Sequence, residues 1–110
     1  MSSTSSALHP GEALPFDALV ALAPHGIASR VLARTSGGNV TLFAFDADQG
    51  LSEHTAPFDA LVVVLTGSLT VTVGGVPARV ASGSLVRLPA GVPHAVEAPE
   101  PARMLLVMLR

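Results

Sequence analysis

A chain of 110 residues, 49% hydrophobic and only 13% charged, has the size and composition of one packed domain, which excludes intrinsic disorder. Its net charge of −2 comes from eight acidic residues against six arginines and no lysine, which excludes a basic track for a nucleic-acid backbone. The absence of cysteine excludes disulfides, thiolate metal sites and cysteine nucleophiles, so any metal would take nitrogen or oxygen ligands.

Residues 1–12 are small or polar and include Pro10 and Gly11, a composition that buries too little apolar area to offset its ordering entropy. They are expected to form a flexible N-terminal arm, with a single barrel domain over 13–110. The first residues lack the positive charge and apolar stretch of a secretory leader, and the apolar runs 60–65 and 104–109 are too short to span a bilayer. A soluble, cytoplasmic protein without a membrane partner is therefore expected. An apolar-rich stretch over 16–23, with Asp17 as an N-cap and Pro24 as a stop, predicts at most one short helix.

Beyond Gly26 the pattern changes to short runs of valine, leucine and threonine at 27–35, 40–45, 60–66, 69–73, 76–81, 85–88, 94–98 and 103–109. Gly, Pro, Asn or Asp interrupts them at the spacing of an all-β antiparallel barrel. Gly74 and Gly75 between two such runs predict a two-residue hairpin turn.

Two segments carry the candidate chemistry. In the later one, Gly83 is followed by Pro89, Gly91, Pro93 and His94, so the chain reverses after a strand and His94 opens the next. The earlier one runs His54, Thr55, Ala56, Pro57, Phe58, Asp59, Ala60, then a strand ending at Gly67. Together the two segments resemble the paired motifs of the cupin superfamily, and the stretch from Ser52 to Leu61 is similar to small single-domain bacterial members without assigned function. The resemblance implies an RmlC-like jelly roll, a double-stranded β-helix closed around a pocket. It implies His54 and His94 as metal ligands. Where the first motif of metal-binding relatives supplies a second histidine and a glutamate, this sequence has Ala56 and Ala60.

Two imidazoles alone make an incomplete site, because catalytic zinc keeps three protein ligands and non-haem iron uses two histidines and a carboxylate. Asp59 is the candidate third ligand, ahead of Glu53 and Gln49. Strict alternation puts Asp59 and Glu53 on the face opposite His54, unless Pro57 breaks it. Three functions stay open. The first is a cupin of unassigned activity with a small-molecule pocket around His54 and His94. The second is a metal-dependent dioxygenase, isomerase or lyase using iron, manganese, nickel or zinc on a small organic substrate. The third is a structural or interaction barrel with relic histidines. The runs 60–65 and 104–109 lack apolar–polar alternation and need cover on both faces, so a homodimer is expected, with Val62→Asp or Val64→Asp disrupting it if that side chain faces outward.

Overall fold

The computed structural model describes residues 7–110, so residues 1–6 of the expected arm lie outside the described residues. Among the described residues, nine strands follow a single 3-10 turn at Phe16–Ala18: β1 (Ile27–Thr35), β2 (Gly38–Phe45), β3 (Gly50–His54), β4 (Asp59–Thr66), β5 (Ser68–Val73), β6 (Val76–Ala81), β7 (Leu85–Leu88), β8 (His94–Glu97) and β9 (Ala102–Leu109). They pair antiparallel in two sheets, one ordered β1-β2-β9-β4-β7 and the other β3-β8-β5-β6. This is the expected jelly-roll arrangement. Strand β3 is the element the apolar pattern does not announce: Leu51 is its one large apolar residue, and it lies at a sheet edge.

The Gly74–Gly75 hairpin forms as expected, with φ of 58° and 83°, values that β-carbon-bearing residues adopt only with strain. Pro77 sits on edge strand β6, where a missing N–H costs no ladder bond to a further strand. The inner faces of both sheets supply the main core, in which Phe45, Val62, Val64, Leu69, Val71 and Met104 are fully buried. Each contributes about 1.5–3 kcal/mol by leaving water.

A second cluster lies on the outer face of the five-stranded sheet. There Leu19 and Val20 pack on Leu32, Leu42 and Ala44, with Leu65 and Leu105 alongside. The N-terminal segment thus covers part of that face within one chain, and Arg103 Nε donates to the Val20 carbonyl at 3.1 Å. The helix expected over 16–23 is corrected to one 3-10 turn. Its N-cap is Pro15, which offers no side-chain acceptor, so Asp17 does not cap it, and laying Leu19 and Val20 on the sheet replaces further helical turns. Within the arm region, Leu8 N–H donates to the Leu32 carbonyl at 2.9 Å. Val62 and Val64 are fully buried and face inward, so the outward apolar residues of β4 are Leu61, Val63 and Leu65. Among the described residues, no helix is long and apolar enough to cross a membrane.

Candidate functional site

The histidines meet because of one irregularity in β3. Leu51 pairs with Val96 and His54 with His94, so two residues, Ser52 and Glu53, stand opposite the single Ala95. Regular alternation would turn His54 away from the face that Leu51 shares with the core. The extra residue shifts the phase and turns His54 inward beside His94. The reversal through Pro89, Gly91 and Pro93 starts β8 at His94, and Gly91, with φ 75°, donates its N–H to the Ala56 carbonyl at 2.8 Å. That bond ties together the two loops that deliver the histidines.

The two Nε2 atoms lie 3.1 Å apart, with ring centroids at 4.4 Å and planes at 71°. His94 is 6% exposed, whereas His54 opens to solvent. His54 Nδ1 lies 2.7 Å from the Ser52 carbonyl and His94 Nδ1 lies 3.2 Å from the Val92 carbonyl. A carbonyl only accepts, so each Nδ1 carries the hydrogen and donates it. Both Nε2 lone pairs then point at each other across hydrogen-bond distance, an arrangement that is repulsive unless a proton or a cation stands between them. Two bonds of roughly 2.0–2.1 Å to one ion would place the nitrogens about 2.8–3.4 Å apart. The imidazoles thus fit a shared ion, and carbonyl acceptors on the far nitrogens are the usual support for metal-bound histidine.

The other candidates do not join them. Asp59, raised as a third ligand, has one carboxylate oxygen 2.8 Å from Arg87 Nη1 and the other accepting the Ala90 N–H at 2.8 Å. It stands on the outward register of β4, as strict alternation requires, and Pro57 does not bring it inside. Glu53 sits exposed in the bulge, and the Gln49 backbone closes the turn after β2 by donating to the Asp46 carbonyl. Ala60 faces the core at 5% exposure, so the inward position at the start of β4 carries a methyl group. Among the described residues, no three His, Cys, Asp or Glu side chains are placed to hold a metal. Concavities of about 250 and 410 Å³ lie elsewhere, the first around the β1–β2 hairpin and the end of β9, the second lined by Ser52, Thr70, Thr72 and Glu97. Neither is lined by His54 or His94.

Asp59 has a structural role at this mouth. The Ala90 N–H bond, then the Arg87 hydrogen bond, hold its carboxyl below the ordinary 3.8. A depressed native value means that the ionised form favours the fold. Its stabilisation is present above the ordinary carboxylate range and is lost as pH falls through it. Asp59→Asn is therefore expected to lower the urea midpoint at pH 7, with the gap to the parent closing below about pH 4. A gap independent of pH would contradict this role.

The Cupin domain family pattern matches residues 41–108. The chain belongs to the cupin family. Among solved cupin-like structures, a conserved protein of unknown function from Streptococcus pyogenes is 32% identical, with a TM-score of 0.89 and 100% of this chain and 96% of that one covered. A cupin superfamily protein from Desulfitobacterium hafniense is 24% identical, with a TM-score of 0.86 and coverages of 93% and 94%. A Cupin 2 conserved barrel domain protein from Leptotrichia buccalis is 36% identical over 84% of this chain and 45% of that one, with a TM-score of 0.81. No curated protein matches the chain in sequence. In this cupin the match starts within β2 and ends within β9, so it takes in both histidine-bearing segments and omits β1 and the N-terminal cover.

Proposed function

We propose that this cupin binds a small organic ligand at the barrel mouth through a divalent metal ion held by Nε2 of His54 and His94. The observation that carries the reading is the pair of converging lone pairs, 3.1 Å apart, with both Nδ1 hydrogens committed to carbonyls. The side chains supply two ligands, which leaves the remaining positions to solvent or to oxygen atoms of the ligand. Iron, manganese, nickel or zinc bound there would supply Lewis acidity, or oxygen activation with a redox-active ion. The protein's own part is to fix the tautomers, exclude water from the His94 side and leave the His54 side open. Metal analysis of protein purified without a histidine tag tests the reading. About one transition-metal ion per chain is expected, and a content at background would contradict it.

We further propose that two copies pair through the outer face of the five-stranded sheet. The N-terminal segment covers its β1–β2 side, while Leu61, Val63 and Val107 stay half-exposed, with Leu85 at 61% and Leu109 at 48%. Apolar faces of this kind are ordinarily covered by a partner. Light scattering should give about twice the 11.1 kDa chain mass. Val63→Asp should return it to one chain, because an unpaired charge in an apolar interface is strongly unfavourable. A parent mass of one chain would overturn the pairing.

A further inference from the structure

The outer face of the four-stranded sheet carries a concavity that the histidine pair does not use. Leu51, Val71 and Val96 turn into the core, so alternation sends Gly50 and Ser52 of β3, Thr70 and Thr72 of β5, and Ala95 and Glu97 of β8 outward. Strand pairing sets Glu97 between Gly50 and Thr70, and Ala95 beside Thr72. The concavity of about 410 Å³ lies over these residues and reaches Asp48. Its floor is low because Gly50 and Ala95 raise little above the backbone. Gly50 has no alternative, since a Cβ there would lie 2.3 Å from the Val96 carbonyl oxygen. The Asp48 N–H donates to the Ala98 carbonyl at 2.7 Å, which holds Asp48 one residue past Glu97.

The lining is polar and unsatisfied. Among the described residues, the carboxylates of Asp48 and Glu97 and the hydroxyls of Ser52, Thr70 and Thr72 have no hydrogen-bond or ion-pair partner. The one arginine of this sheet, Arg79, stands beyond Thr70 on edge strand β6 and does not line the concavity. Glu53, exposed in the bulge beside Ser52, adds to the negative charge. The complement is therefore a cation. Two carboxylates with no third His, Cys, Asp or Glu placed beside them make an incomplete cage for calcium, which takes about six to eight oxygens. An ammonium group asks for less, because its N–H donors are met by the carboxylates and by hydroxyl oxygens. The rest of the lining consists of groups that both donate and accept, which suits a ligand rich in hydroxyls and gives an apolar body little to pack on.

We infer that this concavity binds a small polyhydroxylated amine, the size of an amino sugar, with Asp48 and Glu97 on the ammonium and Ser52, Thr70 and Thr72 on the hydroxyl groups. Its volume lies within the ordinary range of small-molecule sites. The site is on the opposite face of the sheet from His54 and His94, and it stands whether or not a metal ion joins them.

Glucosamine is the probe, titrated into ¹⁵N-labelled full-length protein at a pH where its amine carries the charge. The backbone amides of Ser52, Thr70, Thr72 and Glu97 are expected to shift together and saturate. Asp48→Asn and Glu97→Gln should each weaken binding about tenfold, the worth of one hydrogen bond to a charged group, and Thr72→Val should weaken it less. Both carboxylates are exposed, so these variants should keep the parent's thermal midpoint. Glucose, which has the hydroxyls without the charge, and ethylamine, which has the charge without the hydroxyls, should each bind more weakly than glucosamine. No saturable shift in the parent, parent-like affinity in either carboxylate variant, or glucose or ethylamine binding as tightly as glucosamine would overturn the inference. Calcium moving the same amides at a lower concentration than glucosamine would overturn it in favour of a metal ion.

Discussion

His54→Ala and His94→Ala are each expected to reduce metal affinity by more than the roughly 10–100-fold that loss of an outer-shell partner costs. With two side-chain ligands on one ion, removing either leaves a single imidazole, no better than an exposed surface histidine. The two variants should differ in stability. His94 is 6% exposed, so truncating it leaves a hole in the packed inner face, whereas His54 opens to solvent and its loss should hardly move the thermal midpoint. Competition titration with a zinc chelator reads the first effect and thermal unfolding the second. Parent-like affinity in either variant would show that the two imidazoles do not share an ion.

Gly67→Ala should be among the most damaging single substitutions in the fold. Gly67 turns the chain from β4 into β5 with φ 71°, and a Cβ there would lie 2.3 Å from the Pro101 carbonyl oxygen and 3.0 Å from Ala102. The left-handed backbone alone costs about 1–2 kcal/mol. The clash is with backbone, which has no rotamer to change, so the sum should reach roughly 3 kcal/mol or more, a large part of the 5–15 kcal/mol that holds a domain together. Gly75→Ala is the matched comparison. It has φ 83° and nothing within 4 Å of its Cβ, so it carries the backbone term only. Urea midpoints that fall equally for the two would contradict the close approach at Gly67.

The residues that made the fold legible are those whose chemistry is local. Gly74 and Gly75 announce their turn because few other residues accept positive φ, and the valine-rich runs announce strands because their apolar side chains must be covered. The approach of His54 to His94 was legible only as a resemblance between motifs. Its physical cause, the extra residue at Ser52 and Glu53 opposite Ala95, is a property of strand pairing that a polar five-residue edge strand does not display. The same limit applies to the N-terminal segment. Apolar residues over 16–23 with a cap and a stop read as a helix, and only the outer face beneath them, with Arg103 reaching the Val20 carbonyl, selects a largely non-helical cover instead. Asp59 looked available to a metal from its position near His54. The pairing of β4 with β7, which brings Arg87 and the Ala90 N–H just beyond it to its two oxygens, is a tertiary contact that no local spacing encodes.

The measurement that bears most directly on the central claim is a zinc titration of the histidine ring nitrogens by ¹⁵N spectroscopy. One equivalent of zinc should move the Nε2 signals of both His54 and His94 together while each Nδ1 keeps its hydrogen. If zinc left those two nitrogens unmoved, or shifted only the rings of His9 and His25, a metal ion held between the paired imidazoles would be contradicted.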